Sequence, residues 1–261
     1  MSENRIITLL TDFGLEDGYV GIMKGAIAQI NPLLKVIDLT HHIPPQNIAA
    51  GRFCLMNAFA YFPAETVHVA VVDPGVGSQR RGVGIEFEGG YLVGPDNGIF
   101  SGVLSLSPAI AAVELTNSDY WRCSHPSATF HGRDIFAPVG GHLASGVALT
   151  ELGNNIDPNS LIKMPIPELK ITNTGVTGFI QYVDRFGNLI TNISAAAVAG
   201  KNWSVKIGNL KISPCQTYSD RSPGQIVALI GSHGWVEIAV NGGSAKSRLQ
   251  LDRGDCVEML F

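Results

Sequence analysis

Residues 6–14 have the sequence IITLLTDFG, an apolar and β-branched run that ends at an aspartate and a glycine. This pattern predicts a buried strand over residues 6–11. Apolar residues then recur close to every 3.6 positions until Pro32, which indicates a helix. The residues expected on its buried face are Val20, Met23, Ile27 and Ile30. Because a strand followed by a helix is the unit from which α/β layers are built, this stretch predicts an α/β fold.

The same alternation of short β-branched runs and longer helical segments continues through the first half of the chain. Further strands are expected at residues 36–39, 67–72, 83–87 and 91–93. The last two are joined by Glu-Gly-Gly and predict a hairpin. Helices are expected from an Asn47 cap to Pro63 and from Arg133 to about Ser145.

The composition changes after about residue 162, where prolines and polar residues replace the helical segments. Short strand-like runs separated by turn residues then recur at residues 176–183, 189–193, 205–207, 210–212, 226–230, 235–240 and 256–261. We therefore expect an α/β domain at residues 1–163, a linker at residues 164–174 and a smaller domain at residues 175–261. The smaller domain is expected to be mainly antiparallel and β-barrel-like.

Length, composition and charge exclude several classes of protein. The chain has 261 residues, of which 45% are hydrophobic and 15% charged, and this composition excludes intrinsic disorder. A formal net charge of −4 gives no cationic field to attract nucleic acid or an anionic membrane, so a small-molecule ligand is expected. The four cysteines form no CxxC pair, and the first apolar run is too short for a signal sequence or membrane span. These features predict a cytoplasmic protein.

Three of the predicted strands end in an aspartate: Asp12, Asp73 and Asp184. The carboxyl ends of strands are where α/β folds bind ligands. An aspartate at a strand end also caps turns through its own backbone, and this is the alternative for each of the three. Asp12 and Asp17 lie near the start of a predicted helix, where a carboxylate suits the two hydroxyls of a ribose. Asp17 alternatively caps that helix.

Two further motifs of the first half carry groups suited to catalysis. Residues 72–81 combine Asp73, a glycine-containing turn and Arg80, but they lack the lysine and spacing of a phosphate loop. Residues 129–134, TFHGRD, place His131 where it would exchange a proton near neutral pH. The alternatives are a solvated arginine and a structural histidine. The seven histidines fit no HExxH or related spacing, so no metal site is expected.

The second half contains two motifs suited to binding a nucleoside, at residues 184–192 and 231–243. The side-chain amide of Asn188 suits the edge of an adenine, and Tyr218 or Phe186 would stack on its ring. Both motifs also contain ordinary turn sequences, Phe-Gly-Asn and Asn-Gly-Gly, and a pair of hairpin turns is the alternative.

Taken in order, five motifs resemble the S-adenosylmethionine hydrolase family, also called hydroxide adenosyltransferases, which is related to the fluorinase and chlorinase enzymes. The motifs are TDFGLED (residues 11–17), VVDPGVG (71–77) with Arg80, TFHGRDIFAP (129–138), VDRFGNLITNI (183–193) and GSHGWVEIAVNGGSA (231–245). The resemblance implies an α/β amino-terminal domain and a β-barrel-like carboxyl-terminal domain. It also implies a homotrimer with active sites at the subunit interfaces.

By the same resemblance, the catalytic residues that activate water are Asp73, Arg80 and His131. Asp12 is expected to bind the ribose, Asp184 the methionine ammonium group and Asn188 the adenine. The remaining substrate-binding residues implied by the motifs are Asp17, Tyr218, Ser232, Glu237 and Val240. S-adenosyl-L-methionine is the expected substrate, and no cofactor is implied.

The expected reaction is hydrolysis of S-adenosyl-L-methionine to adenosine and L-methionine by SN2 attack of water at C5′. Asp73 and His131 are expected to orient and deprotonate the water while Arg80 stabilises the developing hydroxide. One alternative is a halogenase, although the halogenases carry non-acidic and tyrosine residues at the positions of Asp73 and His131. The other is a non-catalytic sensor that binds adenosine or S-adenosylmethionine.

Overall fold

The computed structural model of the protein describes residues 5–261. Contacts between residues divide the chain into two compact units, Met1–Met164 and Pro165–Phe261. Within residues 5–261, no helix has the length and apolar character needed to cross a membrane.

The first unit alternates strands and helices, as its sequence pattern predicts. Its elements are β1 (Ile7–Thr11), α1 (Tyr19–Ile30), β2 (Val36–Thr40), α2 (Ile48–Ala58), β3 (Thr66–Val71), β4 (Gly82–Phe87), β5 (Gly90–Pro95), α3 (Ser101–Leu106), β6 (Ala109–Glu114), α4 (Ala137–Ala144) and β7 (Asn154–Ile156). A π-helical turn, Gly132–Phe136, leads directly into α4. The α/β class expected for this half of the chain is confirmed.

The strands of the first unit form one mixed sheet in the order β2-β1-β3-β5-β4-β6-β7. Strands β2, β1, β3 and β5 are parallel, whereas β4, β6 and β7 are joined by antiparallel pairing. The predicted hairpin is β4 and β5, in which Val83 pairs with Gly94. Strand β6 was not predicted, because its sequence, AIAAVE, is rich in alanine, which has a low preference for strands.

The core of the first unit explains its helical periodicity. Met23 and Ile27 of α1 pack in one buried cluster with Ile7 and Leu9 of β1. The expected cap of α2 is confirmed, since the Asn47 side chain accepts a hydrogen bond from the Ala50 amide at 3.0 Å. The alternative that Asp17 caps α1 is wrong. The helix begins at Tyr19, Gly18 occupies the cap position, and no side chain caps this helix.

The order of the strands places a crevice between the carboxyl ends of β1 and β3. The chain leaves β1 for β2 on one side of the sheet, and it leaves β3 for β4 and β5 on the other side. Ligands of open α/β sheets bind where neighbouring strands lead their connections in opposite directions. The topology therefore singles out the residues that follow β1 and β3, which are Asp12 and the segment that begins at Val72.

The second unit is built from antiparallel strands and two short helices. Its elements are β8 (Lys170–Thr172), β9 (Gly175–Val183), β10 (Leu189–Ser194), α5 (Ala195–Val198), β11 (Ser204–Ile207), β12 (Leu210–Ile212), β13 (Ile226–Ile230), β14 (Trp235–Val240), α6 (Ala245–Leu249) and β15 (Cys256–Leu260). All seven strand-like runs predicted in this half form strands. The segment expected to be a linker contains β8, which pairs with β9.

The sheet of the second unit is nearly closed. Its order is β12-β11-β15-β9-β10-β14-β13, and a bridge between Pro214 and Ala228 connects the segment after β12 to β13. Val176, Leu189 and Ile238 belong to the buried cluster that fills it. The barrel-like, antiparallel architecture expected for this half is confirmed.

Candidate functional site

The carboxyl ends of β1 and β3 open onto a hollow of about 430 Å³, which we call the first hollow. Asp12, from the end of β1, lines it together with Asp73 and His131. Thr11 lies beside Val71 in the paired strands, so Asp12, one residue later, and Asp73, two residues later, leave the sheet side by side. Asp17 lies outside the lining of the first hollow, on the exposed turn before α1.

A guanidinium joins the two catalytic candidates that line the first hollow. Arg80 Nε donates to both carboxylate oxygens of Asp73 at 3.0 Å, and Nη2 donates to Oδ2 as well. The same Nη2 lies 2.6 Å from Nδ1 of His131. The side chains of Asp73 and Arg80 are only 5% and 11% exposed, so solvent screens this pair weakly. The structure thus brings together all three residues of the expected water-activating group.

The contact with Arg80 fixes the tautomer of His131. A guanidinium has donors and no acceptor, so Nδ1 must accept and the proton of the neutral ring lies on Nε2. Burial lowers the pKa of His131 from its ordinary value, and the positive charge of Arg80 lowers it further. His131 is therefore neutral near pH 7 and presents Nε2–H as a donor.

Close packing of two loops brings His131 to Arg80, which is 51 residues earlier in the chain. Gly77 lies between Asp73 and Arg80 with φ at +77°, where side chains are rarely tolerated. A Cβ added at Gly77 would lie 2.3 Å from the Ala128 carbonyl oxygen. Only glycine lets the first loop approach the segment that leads to His131.

Hydrogen bonds to the buried carboxylate of Asp134 fix the segment that carries His131. The carboxylate accepts from Arg122 at 2.6 Å, from Arg133 at 2.7 Å and from the Ser127 amide at 2.9 Å. Burial opposes ionisation, but these hydrogen bonds outweigh it and hold the pKa of Asp134 well below its usual range. The π-helical turn starts immediately after His131, and such turns occur frequently at functional sites.

Near Asp12 the first hollow is lined by polar groups and by a cluster of aromatic rings. Asp12 Oδ2 accepts from the Gln46 amide at 2.7 Å, and Gln46 has a left-handed backbone with φ at +63°. The rings of Phe13, Tyr19 and Phe130 also line the hollow, with centroids 5.3 to 6.0 Å apart. No local sequence pattern indicates this aromatic cluster, because it joins rings from two distant segments of the chain.

The second unit has a hollow of its own, of about 570 Å³, which we call the second hollow. Three of the expected substrate-binding residues line it: Asn188, Tyr218 and Val240. Phe186 and the turn at residues 241–244 complete the lining. Aromatic rings, the two asparagines Asn188 and Asn241, and backbone groups therefore dominate this surface.

Asp184 is directed into its own turn. One oxygen accepts from the backbone amides of Phe186 at 2.9 Å and Asn188 at 2.8 Å. The other oxygen accepts from Nδ2 of Asn188 at 2.9 Å. The turn-capping role, one of the two interpretations of this aspartate, is thus present. It also orients the side chain of Asn188.

Glu237 and Ser232 lie on β14 and on the turn before it. The Glu237 side chain is 4% exposed, and Tyr218 Oη donates to its Oε1 at 2.7 Å. Burial and the carboxylate of Glu237 raise the pKa of Tyr218. Ser232 is exposed between β13 and β14. The structure places Glu237 against Tyr218, while Ser232 is open to solvent.

In the part of the chain that the structure describes, no three His, Cys, Asp or Glu side chains are grouped to hold a metal ion. The four cysteines, all of which lie within residues 5–261, form no disulfide bond.

Comparison with known proteins gives matches along nearly the whole chain. Residues 7–153 match the family model described as the SAM hydroxide adenosyltransferase N-terminal domain, and residues 178–258 match the model of the C-terminal domain. An (R)-S-adenosyl-L-methionine hydrolase from Salinispora tropica is 40% identical over 98% of this chain and 97% of its own. A fluorinase from Actinopolyspora mzabensis is 25% identical over 97% and 96%, respectively.

The fold also matches a solved structure. The crystal structure of an uncharacterized conserved protein from Thermotoga maritima superimposes with a TM-score of 0.91. The two sequences are 34% identical, and the match covers 98% of this chain and 100% of the other.

Proposed function

Because the chain belongs to the SAM hydroxide adenosyltransferase family, we propose that it hydrolyses S-adenosyl-L-methionine to adenosine and L-methionine. The observation that carries the chemistry is the contact of one guanidinium with both Asp73 and His131 in the first hollow. S-adenosyl-L-methionine is the substrate in this proposal, and no cofactor takes part in it.

The reaction needs an activated nucleophile more than an acid. Water attacks C5′, an O–C5′ bond forms, and the C5′–S bond breaks with its electron pair moving to sulfur. The leaving group is the neutral thioether of methionine, so it needs no protonation. Water must lose one proton during attack, so a base and a nearby positive charge lower the barrier.

Of the two groups expected to deprotonate the water, the hydrogen-bond geometry favours Asp73. His131 already has its proton on Nε2, and its lone pair on Nδ1 is directed at Arg80. Asp73 is a carboxylate with lone pairs beyond those that Arg80 uses, and it lines the first hollow. In this proposal Asp73 accepts the proton, His131 Nε2–H orients the water, and Arg80 stabilises the developing hydroxide.

The substrate-binding roles complete the proposal. Asp12 accepts from the ribose hydroxyls, and Asn188 with Tyr218 and Val240 binds the adenine. The lone pairs of Asp184 that its turn does not use attract the methionine ammonium group. Ser232, Glu237 and Asp17 assist binding, Glu237 through Tyr218 and Asp17 at most through its charge.

The quaternary structure and location in the proposal rest on sequence. A homotrimer with active sites at subunit interfaces follows from the resemblance of the five motifs to the family, and light scattering tests it by a mass three times that of one chain. A cytoplasmic location rests on the scattered cysteines.

Halogenation is a competing function because a fluorinase is among the relatives. The carboxylate of Asp73 in the first hollow favours water over a halide. A halide ion beside a carboxylate is repelled, whereas a water molecule donates a hydrogen bond to it.

The test is to incubate the purified protein with S-adenosyl-L-methionine in halide-free buffer and in buffer with chloride or fluoride. Mass spectrometry then identifies the nucleoside product. Adenosine should form at the same rate in all buffers. Halide-dependent formation of a 5′-halogenated deoxyadenosine would favour the halogenase, and binding without turnover would favour a sensor.

A further inference from the structure

A buried carboxylate in the second unit connects a wall of the second hollow to a histidine on a turn. Glu237 Oε1 accepts from Tyr218, which lines the hollow, and Oε2 lies 3.1 Å from Nε2 of His233. The Glu237 and His233 side chains are 4% and 14% exposed. Tyr218, Glu237 and His233 thus form one continuous hydrogen-bonded chain.

Backbone geometry fixes the direction of this chain. The Trp235 amide donates to Nδ1 of His233 at 3.2 Å, so Nδ1 is an acceptor. The proton of the neutral ring is then on Nε2, which donates to Glu237. Both oxygens of Glu237 therefore receive a hydrogen bond, one from each neighbour.

The turn between β13 and β14 is shaped to admit the His233 ring. A Cβ added at Gly231 would lie 2.4 Å from Cε1 and 2.5 Å from Nε2 of that ring. Gly234 has φ at +79°, which turns the chain back into β14 after the histidine. Two glycines thus allow the ring to lie over its own turn and reach Glu237.

We propose that His233 is a positioning residue for Tyr218, acting through Glu237, and that it sets how tightly the second hollow binds a nucleoside. The inference rests on the proposed function for the identity of the ligand. Without the His233 donor, Glu237 keeps only one partner and draws water into a buried site. The Tyr218 ring then loses its fixed orientation, so binding weakens while the chemistry in the first hollow is unaffected.

The experiment measures the dissociation constant of adenosine by calorimetry and the KM and kcat for S-adenosyl-L-methionine. His233→Phe keeps a ring but removes the donor, and Tyr218→Phe removes the hydroxyl. Each should weaken adenosine binding and raise KM by about tenfold, with kcat within about twofold of wild type. His233→Gln retains a side-chain donor and should recover most of the affinity.

The double variant tests whether the three groups act as one unit. His233→Phe with Tyr218→Phe should weaken binding no more than the worse single variant, because residues in one network are not additive. Glu258→Gln is the matched control, since Glu258 forms an exposed pair with Lys206 in the same unit. It should change neither constant.

Several outcomes would overturn the inference. One is a double variant whose fold loss of adenosine affinity is the product of the losses in the two single variants. Another is a fall in kcat with unchanged KM. The third is unaltered adenosine affinity in both single variants. If the wild-type protein binds adenosine but the variants bind it equally well, this inference fails and the proposed function stands. If the wild-type protein neither binds adenosine nor turns over the substrate, both fail.

Discussion

The first and second hollows differ in what their nearest carboxylates do. In the first, Asp73 faces the hollow and is paired with Arg80. Behind the lining of the second, Asp184 is directed into its own turn, and Glu237 accepts a hydrogen bond from Tyr218. The first hollow therefore concentrates charge where a nucleophile needs it. The second presents aromatic rings, two asparagines and backbone groups, which suit recognition of a neutral base.

The largest expected effect comes from removing the charge of the first hollow. Asp73→Asn should lower kcat by about 10² to 10⁴, because the water loses its base, while substrate affinity changes little. Steady-state kinetics and calorimetry measure the two quantities. Asp119→Asn, at an exposed aspartate of the same unit, is the control. Full turnover in Asp73→Asn would contradict the assignment of the chemistry to the charged groups of the first hollow.

A buried histidine of the first unit, His68, should make the stability of the fold depend on pH. His68 is 1% exposed, donates to or accepts from Thr8 at 2.8 Å, and burial lowers its pKa to about 4. The unfolded chain binds a proton near the ordinary value of 6.5, so stability is lost as the pH falls from 6.5 to 4. The loss should reach about 3 kcal/mol.

Urea unfolding of the wild-type protein and His68→Gln between pH 7 and pH 4 measures this loss. The variant should show a flatter dependence of the unfolding free energy on pH, since glutamine does not titrate. Equal slopes would mean that His68 does not titrate differently on folding.

Substitutions beside the second hollow should change substrate affinity rather than kcat. In Asp184→Asn, one oxygen still accepts from the turn amides, but the new amide nitrogen meets Nδ2 of Asn188, and two donors oppose each other. Asn188 then loses its orientation, and KM should rise by about tenfold with little change in kcat. A fall in kcat as large as that of Asp73→Asn would place Asp184 in the chemistry instead.

The smallest effect concerns the pH dependence of the first hollow. Burial and the Arg80 charge lower the pKa of His131, and the neutral ring is the form that accepts from Arg80. The acid limb of kcat/KM should therefore lie below pH 6.5, the ordinary histidine value. A limb at or above 6.5 would mean that the protonated ring is the active form.

Sequence pattern was sufficient for those parts of the molecule that depend on local periodicity. It predicted the alternating first unit, the strands of the second and the placement of Asp12 and Asp73 after β1 and β3. These succeed because burial of one face imposes a period on the residues that form it. Strand β6 was not predicted, because its alanines do not produce a periodic pattern of large apolar residues.

Other features depend on packing between distant segments. No local pattern indicates that Arg80 contacts His131, since the contact requires Gly77 to pass close to Ala128. Whether Asp184 caps its turn was an open alternative for the same reason: the sequence of a turn does not show which donors reach the carboxylate. Asp134 does give a signal in the sequence, because it is a charged residue within the apolar segment that leads into α4.

In the proposed mechanism, water held at Asp73 attacks C5′ of the substrate. Turnover in H₂¹⁸O, with the products separated and their masses determined, shows which product receives the oxygen of the water. Attack at C5′ should give adenosine that carries one ¹⁸O atom and methionine that carries none. Unlabelled adenosine, or 5′-methylthioadenosine with the label in homoserine, would contradict it.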